Sequence, residues 1–128
     1  MAGRIQLFKP WFEEAEHEAL RQPLETGWVG PGPKVKEFEQ LFAQYVGVKH
    51  AIALNSATAA LHLAMLVSEV KDREVLTTSM TFVSTNHAIL YANGRPVFCD
   101  IEPGTLNIDP EDLERRITPQ TRALLVVH

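Results

Sequence analysis

The chain has 128 residues, 45% of them hydrophobic, with 12 basic against 16 acidic side chains and a net charge of −4. That is one domain's worth of polypeptide, or a piece of a larger one, with enough apolar material for a core. The charges are interspersed without a basic stripe, which argues against nucleic acid as a partner. Cys99 is the lone cysteine and has no internal partner, so no oxidising compartment is needed. No apolar run approaches the length that spans a bilayer. The opening residues Met1-Ala2-Gly3-Arg4-Ile5-Gln6 lack an apolar leader core. A soluble, cytoplasmic protein is expected.

The first third reads as helical. Pro10 suits a helix start, and Trp11, Ala15, Ala19 and Leu20 fall roughly on one face. Pro23 and Gly27 are expected to end this helix. Residues 27–33, Gly-Trp-Val-Gly-Pro-Gly-Pro, combine permissive glycines with restrictive prolines. A second helix should follow, with Pro33 in its first turn. Val35, Phe38, Leu41, Phe42 and Tyr45 form its apolar stripe, and Gly47 its C-terminal cap. Residues 1–47 are therefore read as a helical segment carrying a Gly/Pro loop.

From residue 48 the pattern alternates. Residues 48–54, 74–78, 95–99 and 122–127 read as strands. Residues 57–67, 82–91 and 109–116 read as helices, the last with Asp109 as N-cap and Pro110 at the first helical position. Strands separated by helices imply parallel pairing, and strands apolar on both faces imply helices covering both sides. The fold class expected for residues 48–128 is α/β, a three-layer α/β/α arrangement with a mostly parallel sheet. The chain stops at Leu124-Leu125-Val126-Val127-His128, in or just after a strand, and is expected to be a truncated piece.

Asn55-Ser56-Ala57-Thr58 stands where a buried strand should turn into an apolar helix. Ligands in open parallel sheets bind beyond the carboxyl ends of strands, and a helix start offers free N–H groups to a phosphate. Ser56, Ala57 and Thr58 are thus candidate anion ligands, with simple helix capping as the rival reading. The pattern is not a P-loop. Phe82, at the start of the next helix, can stack on a flat heterocycle or pack as core. His17, His50, His62, His87 and His128 match no metal spacing. His62 reads as a packed histidine, His87 as a weak pocket candidate, Asp100 as a turn residue and Cys99 as a buried thiol.

Taken in order, several segments resemble the N-terminal part of the DegT/StrS-type sugar aminotransferases. These are pyridoxal-phosphate (PLP) enzymes of aspartate-aminotransferase fold type I. The segments are residues 27–39, residues 48–64 with Ser56-Ala57-Thr58, Thr81-Phe82-Val83-Ser84-Thr85, residues 95–101, and Thr105-Leu106-Asn107-Ile108-Asp109-Pro110. The resemblance implies that Ala57 and Thr58 hold the PLP phosphate, with Ala57 where glycine is common, and that Phe82 stacks on the ring. It implies a homo-oligomer whose sites form between subunits, with the loop at residues 27–33 near the site. The implied reaction moves an amino group from a donor such as glutamate onto a nucleotide-linked keto sugar.

Transamination also needs a lysine that holds PLP as a Schiff base, and an acid partner for the pyridinium nitrogen. The family carries both in segments this chain does not match, and a complete member is roughly three times as long. None of Lys9, Lys34, Lys36, Lys49 and Lys71 is expected to fill the lysine's role, so no catalytic residue is assigned. The expected identity is the N-terminal portion of such an enzyme, inactive alone. The alternatives are a stand-alone oligomeric remnant acting as a binding module, or an interaction domain without ligand.

Overall fold

The computed structural model of the chain describes residues 8–128; residues 1–6, read above for a leader, lie outside them. Two compact units divide between Ala53 and Leu54.

The first unit is built on two helices. α1 spans Glu14–Thr26 and starts later than Pro10 suggests. Glu13 and Glu16 form a reciprocal capping box there, with Glu13 N–H donating to Glu16 Oε2 at 2.7 Å. Satisfied N–H groups and acidic charge at the positive helix end decide the start. Trp11 is left outside the helix, its indole N–H donating to Glu13 Oε1 at 2.9 Å. Pro23 lies inside α1 instead of ending it. In the last turn proline forfeits one backbone bond, and Gly27, in the left-handed region at φ 71°, sets the end. α2 spans Pro33–Val46, with Pro33 in the first turn and Gly47 closing it at φ 76°. Its expected stripe is not covered: Phe38, Leu41, Phe42 and Tyr45 are exposed, and Ala43 is buried. In the intervening loop Trp28 Nε1 donates to Pro31 O at 3.0 Å. A Cβ on Gly32 would lie 2.1 Å from that nitrogen, so the ring's seat excludes any side chain.

Residues 48–54 do not form the expected strand. An extended segment becomes a strand only by pairing. Among the described residues no ladder meets this one, and Ala53 N–H goes to the Glu39 carboxylate at 2.8 Å.

The second unit carries α3 (Ala57–Val67), β1 (Glu74–Thr78), α4 (Val83–Tyr91), β2 (Arg95–Cys99), α5 (Pro110–Arg116) and β3 (Thr121–Leu124). The sheet is parallel, in the order β2-β1-β3. Alternation along β1 sends neighbouring side chains to opposite faces. Val75 joins Met65, Val70, Ala88, Ile89 and Ala92 under α3 and α4, and Leu76 joins Cys99 and Ile108, with Leu113 of α5 against them. That is the expected three-layer α/β/α arrangement. Every residue of β1 is buried, but the flanking strands β2 and β3 are only partly so. Cover on both faces thus holds for the central strand alone.

β3 begins one residue early and ends at Leu124, with one further ladder bond from Leu125 N–H to Leu76 O at 2.9 Å. Its register carries a bulge. Glu74 faces Thr121, but Val75 faces Ala123, so Arg122 is an extra residue. A regular ladder from Thr121 would aim Arg122 at the apolar face of Val75. Instead Arg122 turns outward, to Ser68 O at 2.8 Å and Glu69 Oε2 at 2.9 Å. The buried Glu74 carboxylate anchors the other side, accepting from Thr118 Oγ1 at 2.6 Å and pairing with Arg95.

Candidate functional site

The carboxyl edge of the sheet is where two helix starts meet. The end of α3 lies at the opposite edge, because Ser68, just past it, bonds to Arg122 at the start of β3. Eleven helical residues rise about 16 Å, close to the length of a five-residue strand. The start of α3 is therefore level with the end of β1. α4 starts four residues after β1 and runs back alongside α3, ending near Asp72, whose N–H donates to Asn93 O at 2.9 Å.

Ser56 is the N-cap of α3, extended at φ −162° and ψ 153°, and its Oγ accepts from Ala59 N–H at 3.2 Å. Capping, the rival reading, is thus physically present. It uses one donor only. The N–H groups of Ala57 and Thr58 and the Thr58 hydroxyl meet no acceptor among the described residues. Ser56 and Ala57 are exposed and Thr58 is half-buried. Two free N–H groups and a hydroxyl at the positive end of a helix suit a phosphate. Phe82 is not core: it is the N-cap of α4, with 74% of its surface exposed. It is the one aromatic side chain at the start of α4, at the same edge as Ser56.

The other candidates stand apart in chemistry. His62 is half-buried and meets Tyr91 edge-on at 5.8 Å between ring centroids, a packing role. His87 is exposed, 5.9 Å from the same ring. Among the described residues no three His, Cys, Asp or Glu side chains gather as a metal site. Asp109 caps α5, accepting from Glu111 N–H at 2.8 Å, and Asp100 accepts from Ile101 N–H at 2.8 Å, a turn role. Burial pushes the Cys99 thiol up from its ordinary value, with the Asp112 charge adding to the effect. Lys9, Lys34, Lys36, Lys49 and Lys71 are all exposed.

Three polar residues have roles that the pattern alone did not reveal. Asp112 is buried on α5 and accepts from Asp100 N–H at 2.8 Å, Arg115 and Arg116. The Arg116 bond first, then Asp100 N–H and Arg115, hold its carboxyl at about 2. Glu74 anchors the bulge. Asn86 on α4 donates to Thr78 O at 3.2 Å. For Glu74 the available signal was a charge at the head of an apolar strand; Asp112 in the charged α5 and Asn86 in the polar first half of α4 offered no such contrast.

Residues 10–128 match the model of the DegT/DnrJ/EryC1/StrS aminotransferase family. The chain belongs to this family. It is 46% identical over 120 residues to the spore coat polysaccharide biosynthesis protein SpsC of Bacillus subtilis, covering 93% of this chain and 31% of that protein. Among solved structures it is similar to the putative sugar aminotransferase Spr1654 of Streptococcus pneumoniae in its PLP form. That match has 36% identity and a TM-score of 0.86, over 94% of this chain and 31% of that one. The sugar aminotransferase CalS13 of Micromonospora echinospora matches at 36% identity and a TM-score of 0.87, over 98% of this chain and 34% of that one. The chain thus spans about a third of the length of these relatives. No described helix is long and apolar enough to cross a membrane.

Proposed function

We propose that this chain supplies the phosphate and ring-stacking edge of a PLP-dependent aminotransferase acting on nucleotide-linked keto sugars. One observation carries the reading: the free donors of Ala57 and Thr58 open at the same sheet edge as the exposed ring of Phe82. Ala57 N–H, Thr58 N–H and Thr58 Oγ1 hold the phosphate. Ser56 keeps the first turn of α3 wound so that both N–H groups point outward. Phe82 offers an apolar face to the pyridine ring. When bound, PLP serves as an electron sink and carries the amino group between donor and keto sugar. No lysine of this chain is assigned to bind it covalently, so the chain alone binds without turning over. The cytoplasm, which keeps a lone thiol such as Cys99 reduced, is its compartment.

The test is a PLP titration of the purified chain, read by absorbance and by thermal midpoint. Binding to the folded form raises the midpoint. Ala57→Pro removes one donor at a helix position that tolerates proline, after a residue already extended; it lowers PLP affinity about tenfold, the scale of one bond to a charged group. Borohydride reduction with PLP labels none of the five lysines stoichiometrically. No midpoint shift at millimolar PLP sinks the reading.

A second reading has its own support. β3 pairs with β1 alone among the described residues, and Leu124 and Val126 remain 48% and 39% exposed. An open edge with apolar residues invites another chain. In this reading the chain is an oligomeric binding module without catalysis. Sedimentation that finds a monomer at tens of micromolar removes it.

A further inference from the structure

We propose that Asn86 is a positioning residue for Phe82, holding the aromatic platform at the sheet edge through the end of β1. The inference rests on the reading of Phe82 as the surface on which the PLP ring stacks.

Phe82 occupies the N-cap of α4 and makes no side-chain cap bond. Ser, Thr, Asp or Asn at such a position is worth about 1 kcal/mol to a helix. α4 forgoes that to place an aromatic ring outward. With most of the ring exposed, packing does not hold it; the backbone beneath it must. The link between β1 and α4 is four residues long, and it is tied at both ends. Met80 N–H donates to Thr78 Oγ1 at 3.1 Å, and Thr81 Oγ1 to Thr85 Oγ1 at 2.9 Å. Thr85 N–H donates to Phe82 O at 3.0 Å. Asn86 Nδ2 donates to Thr78 O at 3.2 Å, which fixes the second turn of α4 to the last residue of a fully buried strand. It is the one side-chain bond that joins α4 directly to the end of β1 among those described.

Asn86 Oδ1 is buried without a hydrogen-bond partner. An orphaned buried acceptor is costly and uncommon. Leucine has the same branching, with bulkier methyl groups, and carries no orphan. A side chain chosen for stability alone gains nothing from Oδ1; a side chain chosen for its Nδ2 tie to Thr78 must carry it.

The experiment compares Asn86→Leu, Asn86→Asp and Phe82→Leu with the native chain. Three quantities are read: the thermal midpoint, the 13C-aromatic resonance of Phe82 without ligand, and the affinities for PLP and for inorganic phosphate. The expected result for Asn86→Leu is a midpoint at or above native and a displaced, broadened Phe82 resonance. Its PLP affinity falls about 2- to 10-fold, the range of one aromatic stacking contact, while phosphate affinity is unchanged. Asn86→Asp, which cannot donate at neutral pH, gives the same PLP loss even if the leucine variant folds poorly. Asn86→Leu combined with Phe82→Leu loses no more than Phe82→Leu alone, as coupled residues do. Native Phe82 resonance and native PLP affinity in both Asn86 variants, with Phe82→Leu weakened, overturn the positioning role. A native chain that binds no PLP, or a Phe82→Leu chain that binds it normally, overturns the platform reading and this inference with it; that failure is visible without any Asn86 variant.

Discussion

The two units have equally good helix signals and very different interiors. α1 has a capping box and a left-handed glycine at its end, and α2 has a first-turn proline and a left-handed glycine. Yet among the described residues of that unit Ala43 alone is buried, with Phe38, Leu41, Phe42 and Tyr45 exposed. In the second unit α4 has no side-chain cap, but Val70, Val75, Leu76, Ala88 and Ile89 are wholly buried. Local signals suffice to shape a helix; tertiary burial decides whether removing a side chain costs anything.

The largest effect that sharpens this contrast is in the second core. Ile89→Ala should destabilise it by about 2–5 kcal/mol, from lost burial and the cavity left behind, measured by urea unfolding. Next comes the acid range. Asp112 is held at about 2, below its ordinary 3.8, so the unfolded chain binds a proton between those values that the folded one refuses. Stability from this group is present above about pH 4 and lost as pH falls through about 2. Asp112→Asn should flatten the acid limb in that window while leaving the pH 7–9 profile parallel to native. Ser56→Ala should then cost about 1 kcal/mol by removing the cap of α3. The smallest effect belongs to the first unit: Phe38→Ala should fall within about 0.5 kcal/mol of native, as exposed substitutions do. A Phe38→Ala cost comparable to that of Ile89→Ala would break the comparison and show that α2 is covered in solution.

The sequence was legible wherever a local rule acted alone. Asp109 as cap, Gly47 as terminator and the limits of β1 and β2 follow from short-range chemistry. It misled where a longer-range partner was needed. Residues 48–54 have strand composition, but a strand exists only through pairing, and Glu39 takes the Ala53 N–H instead. Pro23 marks a helix end by itself, yet the reciprocal bonds of Glu13 and Glu16 and the position of Gly27 outweigh it. Of the candidate site, the residue types at Ser56–Thr58 and Phe82 were visible in the pattern. Asn86 was not, because its meaning depends on a carbonyl eight residues away at the end of another element.

The sequence by itself determined the family, the alternation of helix and strand, and which residues can donate to a phosphate, because these depend on residue type and order. Only the tertiary structure decided that Phe82 faces outward instead of packing as core, that Glu74 and the extra residue Arg122 set the register of β3, and that Asp112 is buried among arginines and backbone N–H groups. Those outcomes depend on which groups meet after the chain has folded, and a pattern along the chain does not record such meetings.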